Sequence, residues 1–202
     1  MKIRIIIIGM IFLTACRANN KKTIQDDSNL TESKITTNDI FQNNAPVQVV
    51  TDFLKWYKKN YDTIMRYNLI NNAIGDKYDP TKFYSVDFIE TEKYLAKLKS
   101  SGLVSDKYLN SWRTYFLEHD ENFGKNPQNE GPPAGFEYDF ILMTQDIDET
   151  LNSIDSLKVI DVTESKNSSI VKIDIMMRLG FHLSRDHNKW LIDSIKNIGL
   201  KN

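Results

Sequence analysis

From Pro46 onward, apolar residues recur at Val47, Val50, Leu54, Tyr57, Tyr61 and Ile64, in alternating steps of three and four. That spacing predicts one face of an amphipathic helix, with Asp52, Lys55, Lys58 and Lys59 mostly on the other face. The next stretch, "NLINNAIGDKYDPTKFYSVD" (68–87), carries Asn, Gly, Asp and Pro at a density that predicts an irregular connection. A second helix follows in "FIETEKYLAKLKSSG", with Thr91 as a candidate cap, Tyr94, Leu95 and Leu98 on one side, and Gly102 in the left-handed closing position. Ser105 is placed to cap a third helix through "DKYLNSWRTYFLEHD", whose apolar stripe is Tyr108, Leu109, Trp112, Tyr115 and Phe116. Glycines and consecutive prolines in "NFGKNPQNEGPPAGF" oppose any regular element and should end it.

The period then changes from helical to two. Val171, Ile173, Ile175, Met177, Leu179, Phe181 and Leu183 alternate with mostly polar positions such as Lys172, Asp174, Arg178 and His182. Because the alternation never changes phase, it predicts one long strand, bent or bulged at Gly180. "ESKNSS" and "RDHNK" read as hairpin turns joining it to "SLKVIDVT" and "WLIDSIKNI". Helices first and an antiparallel meander afterwards predict an α+β domain, with the N-terminal helices packed on one face of a curved antiparallel sheet.

Ahead of this body lies a different composition. "MKIR" supplies Lys2 and Arg4, and Ile5 to Leu13 form an apolar run interrupted only by Gly9. An ordinary membrane-spanning helix needs about 20 apolar residues, so this run is too short and reads as a secretory signal. "LTAC" (13–16) resembles the lipobox of bacterial lipoproteins, in which the cysteine becomes the lipid-bearing first residue. The resemblance implies removal of residues 1–15, acyl chains on Cys16 and attachment to a membrane through them. Residues 17–45 are rich in Asn, Lys, Thr, Asp and Ser, with few apolar positions and no helical period. Such a segment cannot bury enough surface to offset its ordering entropy and reads as a tether of roughly 30 Å end to end. Residues 16–45 are thus expected to be a lipid-anchored flexible tether, and 46–202 a single domain.

Charge and cysteine content narrow the function classes. The chain has 26 basic and 27 acidic residues. Loss of Lys2 and Arg4 with the signal would leave it about three units negative. No basic stripe appears, which argues against nucleic acid as a partner. Cys16 is the sole cysteine, so no disulfide can form within one chain and stability has to come from a core. Arg17 after Cys16 lacks the aspartate that retains many enterobacterial lipoproteins at the inner membrane, which leans towards the outer membrane of a bacterial envelope.

Helices at the front and the terminal hairpin "FHLSRDHNKWLIDSI" resemble the nuclear-transport-factor-2-like, or cystatin-like, cone. "VVTDFLKWY", "ETEKYLAKLKSSGLVSDKYL" and "YDFILMTQDID" are similar to a bacterial lipoprotein family known as domain of unknown function 3828, over most of 46–198. The resemblance implies a fold and a location, and brings no established catalytic residues. Members of the wider fold often hold a pocket between helices and sheet; many are enzymes and many only bind.

Candidate chemistry concentrates in "GFEYDFILMTQDIDE". Asp139, Gln145, Asp146 and Asp148 stand beside Phe136, Tyr138, Phe140 and Met143, a pattern for carboxylates held at a pocket mouth. A carboxylate partly removed from water gains the raised pKa that acid or base work requires. The ordinary alternative is that Asp139 and Asp146 cap turns. His119 follows Trp112 by seven positions on one helical face and is the third catalytic candidate, with Tyr138 and Trp112 as binding candidates. His182 and His187 fall on a polar strand face and in a turn. No metal or cofactor is expected: an EF-hand beginning at Asp146 would need glycine and glutamate where Leu151 and Leu157 stand, and the histidines lack metal-binding spacings. Two functions remain. One is a lipid-anchored envelope domain that binds a protein or small ligand, a class that includes immunity and inhibitor proteins. The other is a small envelope hydrolase or isomerase with Asp139 or Asp146 as general base.

Overall fold

The structure, a computed structural model, describes residues 44–72, 79 and 81–199. The signal, Cys16 and nearly all of the tether lie outside the described residues. Helix α1 spans Ala45–Ile64. Its first turn is closed by Asn44, whose side chain accepts a hydrogen bond from Val47 N at 3.2 Å, and Pro46 sits where no intrahelical donor is needed. The face predicted from the spacing is buried, with Tyr61 half-buried and Phe53 added to it.

The connection 68–87 is less irregular than its composition implies. Strands β1 (Ile70–Asn71) and β2 (Ser85–Val86) pair antiparallel, and Asp87 N donates to Leu69 O at 2.9 Å. Asn72 closes the ribbon: its Nδ2 donates to the carbonyls of Asp79 and Lys82, and its Oδ1 accepts from Asp79 N. Helix α2 is Phe88–Lys99, and its cap is Asp87, which accepts from Ile89 N and Glu90 N. Thr91 is not the cap; it is buried within the first turn and donates to Phe88 O. Gly102 takes the left-handed position, φ +68°, after the helix end.

Helix α3 spans Asp106–Lys125 and is capped by Ser105, as the sequence predicts, with Tyr108 N donating to Ser105 Oγ. It continues past the expected end because Phe123 adds a further buried turn. A short helix absent from the sequence reading, α4 (Ile147–Ser153), runs into one turn of 3-10 helix at Ile154–Ser156.

Four strands follow in meander order: β3 (Lys158–Glu164), β4 (Ser168–Asp174), β5 (Arg178–Asp186) and β6 (Lys189–Asn197). The predicted long strand is therefore two strands, and the break is at Met176 rather than Gly180. Asp174 pairs with Arg178, leaving a three-residue loop with Met176 at φ +76°. An odd loop preserves parity: Ile173 faces Leu179 and Val171 faces Phe181, so the alternation reads straight through the turn. In the β5–β6 turn, His187 and Asn188 both have positive φ, the pattern of a two-residue I′ hairpin.

The apolar sheet face carries Val171, Ile173, Leu179, Phe181, Leu183 and Ile192, all buried, and α1 packs against β4 and β6. Helix α3 touches β6, and Leu103–Ser105 lies parallel along that strand's edge, with Ser105 N donating to Ile192 O and Ile192 N to Leu103 O. The domain is α+β, helices on an antiparallel sheet, as the change of period predicts. Among the described residues no helix is long and apolar enough to cross a membrane.

Candidate functional site

Tyr57 lies on the buried face of α1, one turn after Phe53, with its ring at 6.5 Å from that of Phe53. Its phenol donates to Asp139 Oδ2 at 2.5 Å, across 82 positions of sequence. The other carboxylate oxygen, Oδ1, accepts from Ile141 N at 2.9 Å and Leu142 N at 2.7 Å. The main chain of Asp139 closes the same loop: its N donates to Thr144 O, and its O accepts from Met143 N, with Met143 at φ +55°. Asp139 is thus a loop organiser whose side chain is drawn inwards, with only 6% of the residue exposed.

This loop and the segment after α1 enclose a cavity of about 740 Å³. Asp139, Tyr57, Ile64, Ile70, Tyr94 and Phe140 are its buried lining; Tyr138 and Gln145 line it nearer the surface. Residues 64–70 and the prolines Pro132 and Pro133 complete the wall. The size suits a small organic ligand or one large side chain of a partner.

The proline-rich wall is held by the side chains of Gln128, Tyr84 and Tyr115. The Gln128 side chain donates to Glu130 O and Pro132 O and accepts from Ala134 N. The Tyr84 hydroxyl donates to Gly131 O at 2.8 Å. The Tyr115 hydroxyl donates to Gly135 O at 2.6 Å. Gly135 has φ +87°, and a Cβ there would stand 2.2 Å from His119 Nε2, so only glycine allows the loop to lie this close to α3.

Burial sets the electrostatics. It raises the Asp139 carboxyl above the ordinary carboxylate range, against the opposing effect of hydrogen bonds from Leu142, Tyr57 and Ile141. Burial also raises the Tyr57 and Tyr94 phenols, with the Asp139 charge adding to both. Tyr61 is pushed up to about 12 by partial burial and then by the charges of Asp139, Asp148 and Asp62. No cationic side chain pairs with Asp139 among the described residues.

The structure thus brings together three of the residues singled out in the sequence: Asp139, Tyr138 and Gln145. It separates the others. Asp146 and Asp148 are exposed at the start of α4, and Asp146 makes no side-chain cap bond there. Neither lines the cavity. His119 stacks on Tyr115, ring centroids 3.9 Å apart, and its Nδ1 lies 2.9 Å from Tyr115 O, outside the lining. Trp112 is a core residue packed on Phe140 at 4.8 Å between centroids. Tyr57 and Gln128 were not among the site candidates. Tyr57 carries the signature of a core position, and nothing local marks Gln128. Among the described residues no group of three or more His, Cys, Asp or Glu side chains could hold a metal ion.

Two solved structures are similar to the chain. One is a chain of the type VI native effector-immunity complex Tae3-Tai3 from Ralstonia pickettii, 14% identical over 79% of this chain and 99% of that one, at a TM-score of 0.39. The other is the selenomethionine form of that complex, 15% identical over 78% and 99%, at a TM-score of 0.38. No family model and no curated protein matches the chain.

Three donors already engage the Asp139 oxygens, Ile141 N and Leu142 N on Oδ1 and the Tyr57 hydroxyl on Oδ2. A general base has to reach the proton it removes.

Proposed function

We propose that the protein is a lipid-anchored, non-catalytic binding domain of a bacterial cell envelope, and that the cavity floored by Asp139 is its binding site. The engagement of both Asp139 oxygens by Ile141 N, Leu142 N and the Tyr57 hydroxyl carries the choice of binding over catalysis. A carboxylate with three of its acceptor positions engaged in ordering a loop serves first to shape a wall. The short apolar signal, "LTAC" and the polar run behind Cys16 support the anchor. Arg17 supports the outer membrane as the destination. If the bound material is a toxic protein, the same reading becomes an immunity or inhibitor role.

Capture from envelope extracts tests the binding half. The full chain, purified in detergent, should retain material that Gln145→Trp, which plugs the exposed side of the cavity, does not. Equal retention by both proteins would remove the cavity from the account. Metabolic lipid labelling tests the anchor: wild type should gain acyl mass that Cys16→Ser lacks, and identical unlabelled precursors would refute it.

A further inference from the structure

The cavity combines two features with a joint consequence. Five rings line it, Tyr57, Tyr94 and Phe140 buried and Phe136 and Tyr138 half-buried, beside the buried Ile64 and Ile70. Within that apolar enclosure stands one carboxylate, Asp139, without a cationic partner among the described residues. Its charge is felt by the hydroxyls of Tyr57, Tyr61, Tyr94 and Tyr108, every one of which it makes harder to ionise. Of the lone-pair positions on the carboxylate, Oδ1 fills two with backbone donors and Oδ2 fills one with the Tyr57 phenol. One position on Oδ2 remains. At the rim, Arg66 and Glu137 are both exposed and opposite in sign, so neither sets the sign of the interior.

A desolvated negative charge among ring faces is complementary to an organic cation. The rings attract it through their quadrupoles and the carboxylate through its charge. A quaternary ammonium ion needs no acceptor of its own, so the occupied state of the Asp139 oxygens does not count against it. We propose that the cavity takes a small organic ammonium ligand, its charge set between the lining rings and the Asp139 carboxylate. The proposal rests on the cavity being the binding site and adds the charge and class of the occupant.

The test uses the full chain in detergent and two probes of equal shape, choline and its uncharged analogue 3,3-dimethylbutan-1-ol, followed by titration calorimetry and by NMR of the tyrosine rings. Choline should bind about tenfold or more tightly than the analogue, the scale of one to two cation–ring contacts. Asp139→Asn keeps an acceptor for Ile141 N and Leu142 N, so the loop should stay closed while the preference for choline falls at least several-fold. Tyr138→Leu, at a half-buried wall position, should weaken choline more than the analogue. If both probes bind equally, or Asp139→Asn leaves the preference intact, the charge assignment is overturned and the cavity remains a binding site. If neither probe perturbs Tyr57, Tyr94 or Tyr138 at the highest soluble concentration, the ammonium proposal is overturned. Retention of envelope material that Gln145→Trp abolishes would still uphold the cavity, so the two failures are distinguishable.

Discussion

Tyr57 and Asp139 meet in the interior through a hydrogen bond of 2.5 Å, joining the buried face of α1 to the loop that walls the cavity. The reading of the cavity passes through that contact, because it fixes where the carboxylate stands and what is left of its capacity to bind.

Truncation of Asp139 should be costly. Asp139→Ala strands two backbone N–H groups and the Tyr57 hydroxyl inside the protein, at about 1–3 kcal/mol for each buried group left unpaired. Asp139→Asn should cost clearly less, since its amide oxygen can still accept from Ile141 N and Leu142 N. Urea unfolding of both variants checks the order; equal losses would mean that the loop does not depend on these bonds.

Stability should also respond to pH through this residue. Asp139 has a folded pKa above its ordinary value, with burial as the largest cause. Its contribution is therefore fully present below the unfolded value of about 3.9 and is lost as pH rises through the folded value. The lowered carboxyls of Asp79, Glu92, Asp106 and Asp155 act with the opposite sign, so the wild-type curve must be compared with Asp139→Asn. The difference between the two should drift against wild type as pH rises from about 4. Tyr57→Phe removes a donor to the ionised form and should move the Asp139 titration, read by carboxyl NMR, further upward.

Gly135→Ala should destabilise the proline-rich wall by about 1–3 kcal/mol, the scale of a strained backbone position. Its Cβ would overlap His119 Nε2, and φ +87° suits glycine alone. Adding His119→Ala should recover part of the loss by removing the overlap with the imidazole but leaving the backbone strain and the 2.9 Å approach to the Tyr115 hydroxyl. Chemical unfolding of the pair measures this; full recovery would mean that the backbone conformation costs nothing.

Met176→Gly should stabilise the protein by about 0.5–1 kcal/mol, since glycine relieves a left-handed residue at some cost in chain entropy. Met176 is 51% exposed, so little packing is lost. A loss of stability would contradict the tight turn between β4 and β5.

Helices α1, α2 and α3 were legible because a 3.6-residue period and the caps Ser105 and Gly102 are local signals, whereas the seven residues of α4 are too few to show a period. The sheet was legible as alternation, but the turn at Met176 was not, because a three-residue loop keeps inward residues in phase. The ribbon of β1 and β2 escaped notice because two-residue strands leave no period, and Asn72, which closes it, looks like any loop asparagine. At the site, Asp139 stood out as an acid among aromatics. Its partner Tyr57 did not, since a tyrosine on an apolar face predicts only core. Gln128 holds the wall through bonds to main-chain atoms up to six residues away, and such bonds have no residue-type signature.

The most direct measurement of the central claim, that this cavity is where the protein binds, is methyl NMR of isoleucine-labelled full chain titrated with envelope extract. Ile64, Ile70 and Ile147 line the cavity, whereas Ile173 and Ile195 belong to the sheet. The account predicts shifts in the first three methyls, abolished by Gln145→Trp, with Ile173 and Ile195 unmoved. Shifts confined to the sheet, or none in any methyl, would contradict it.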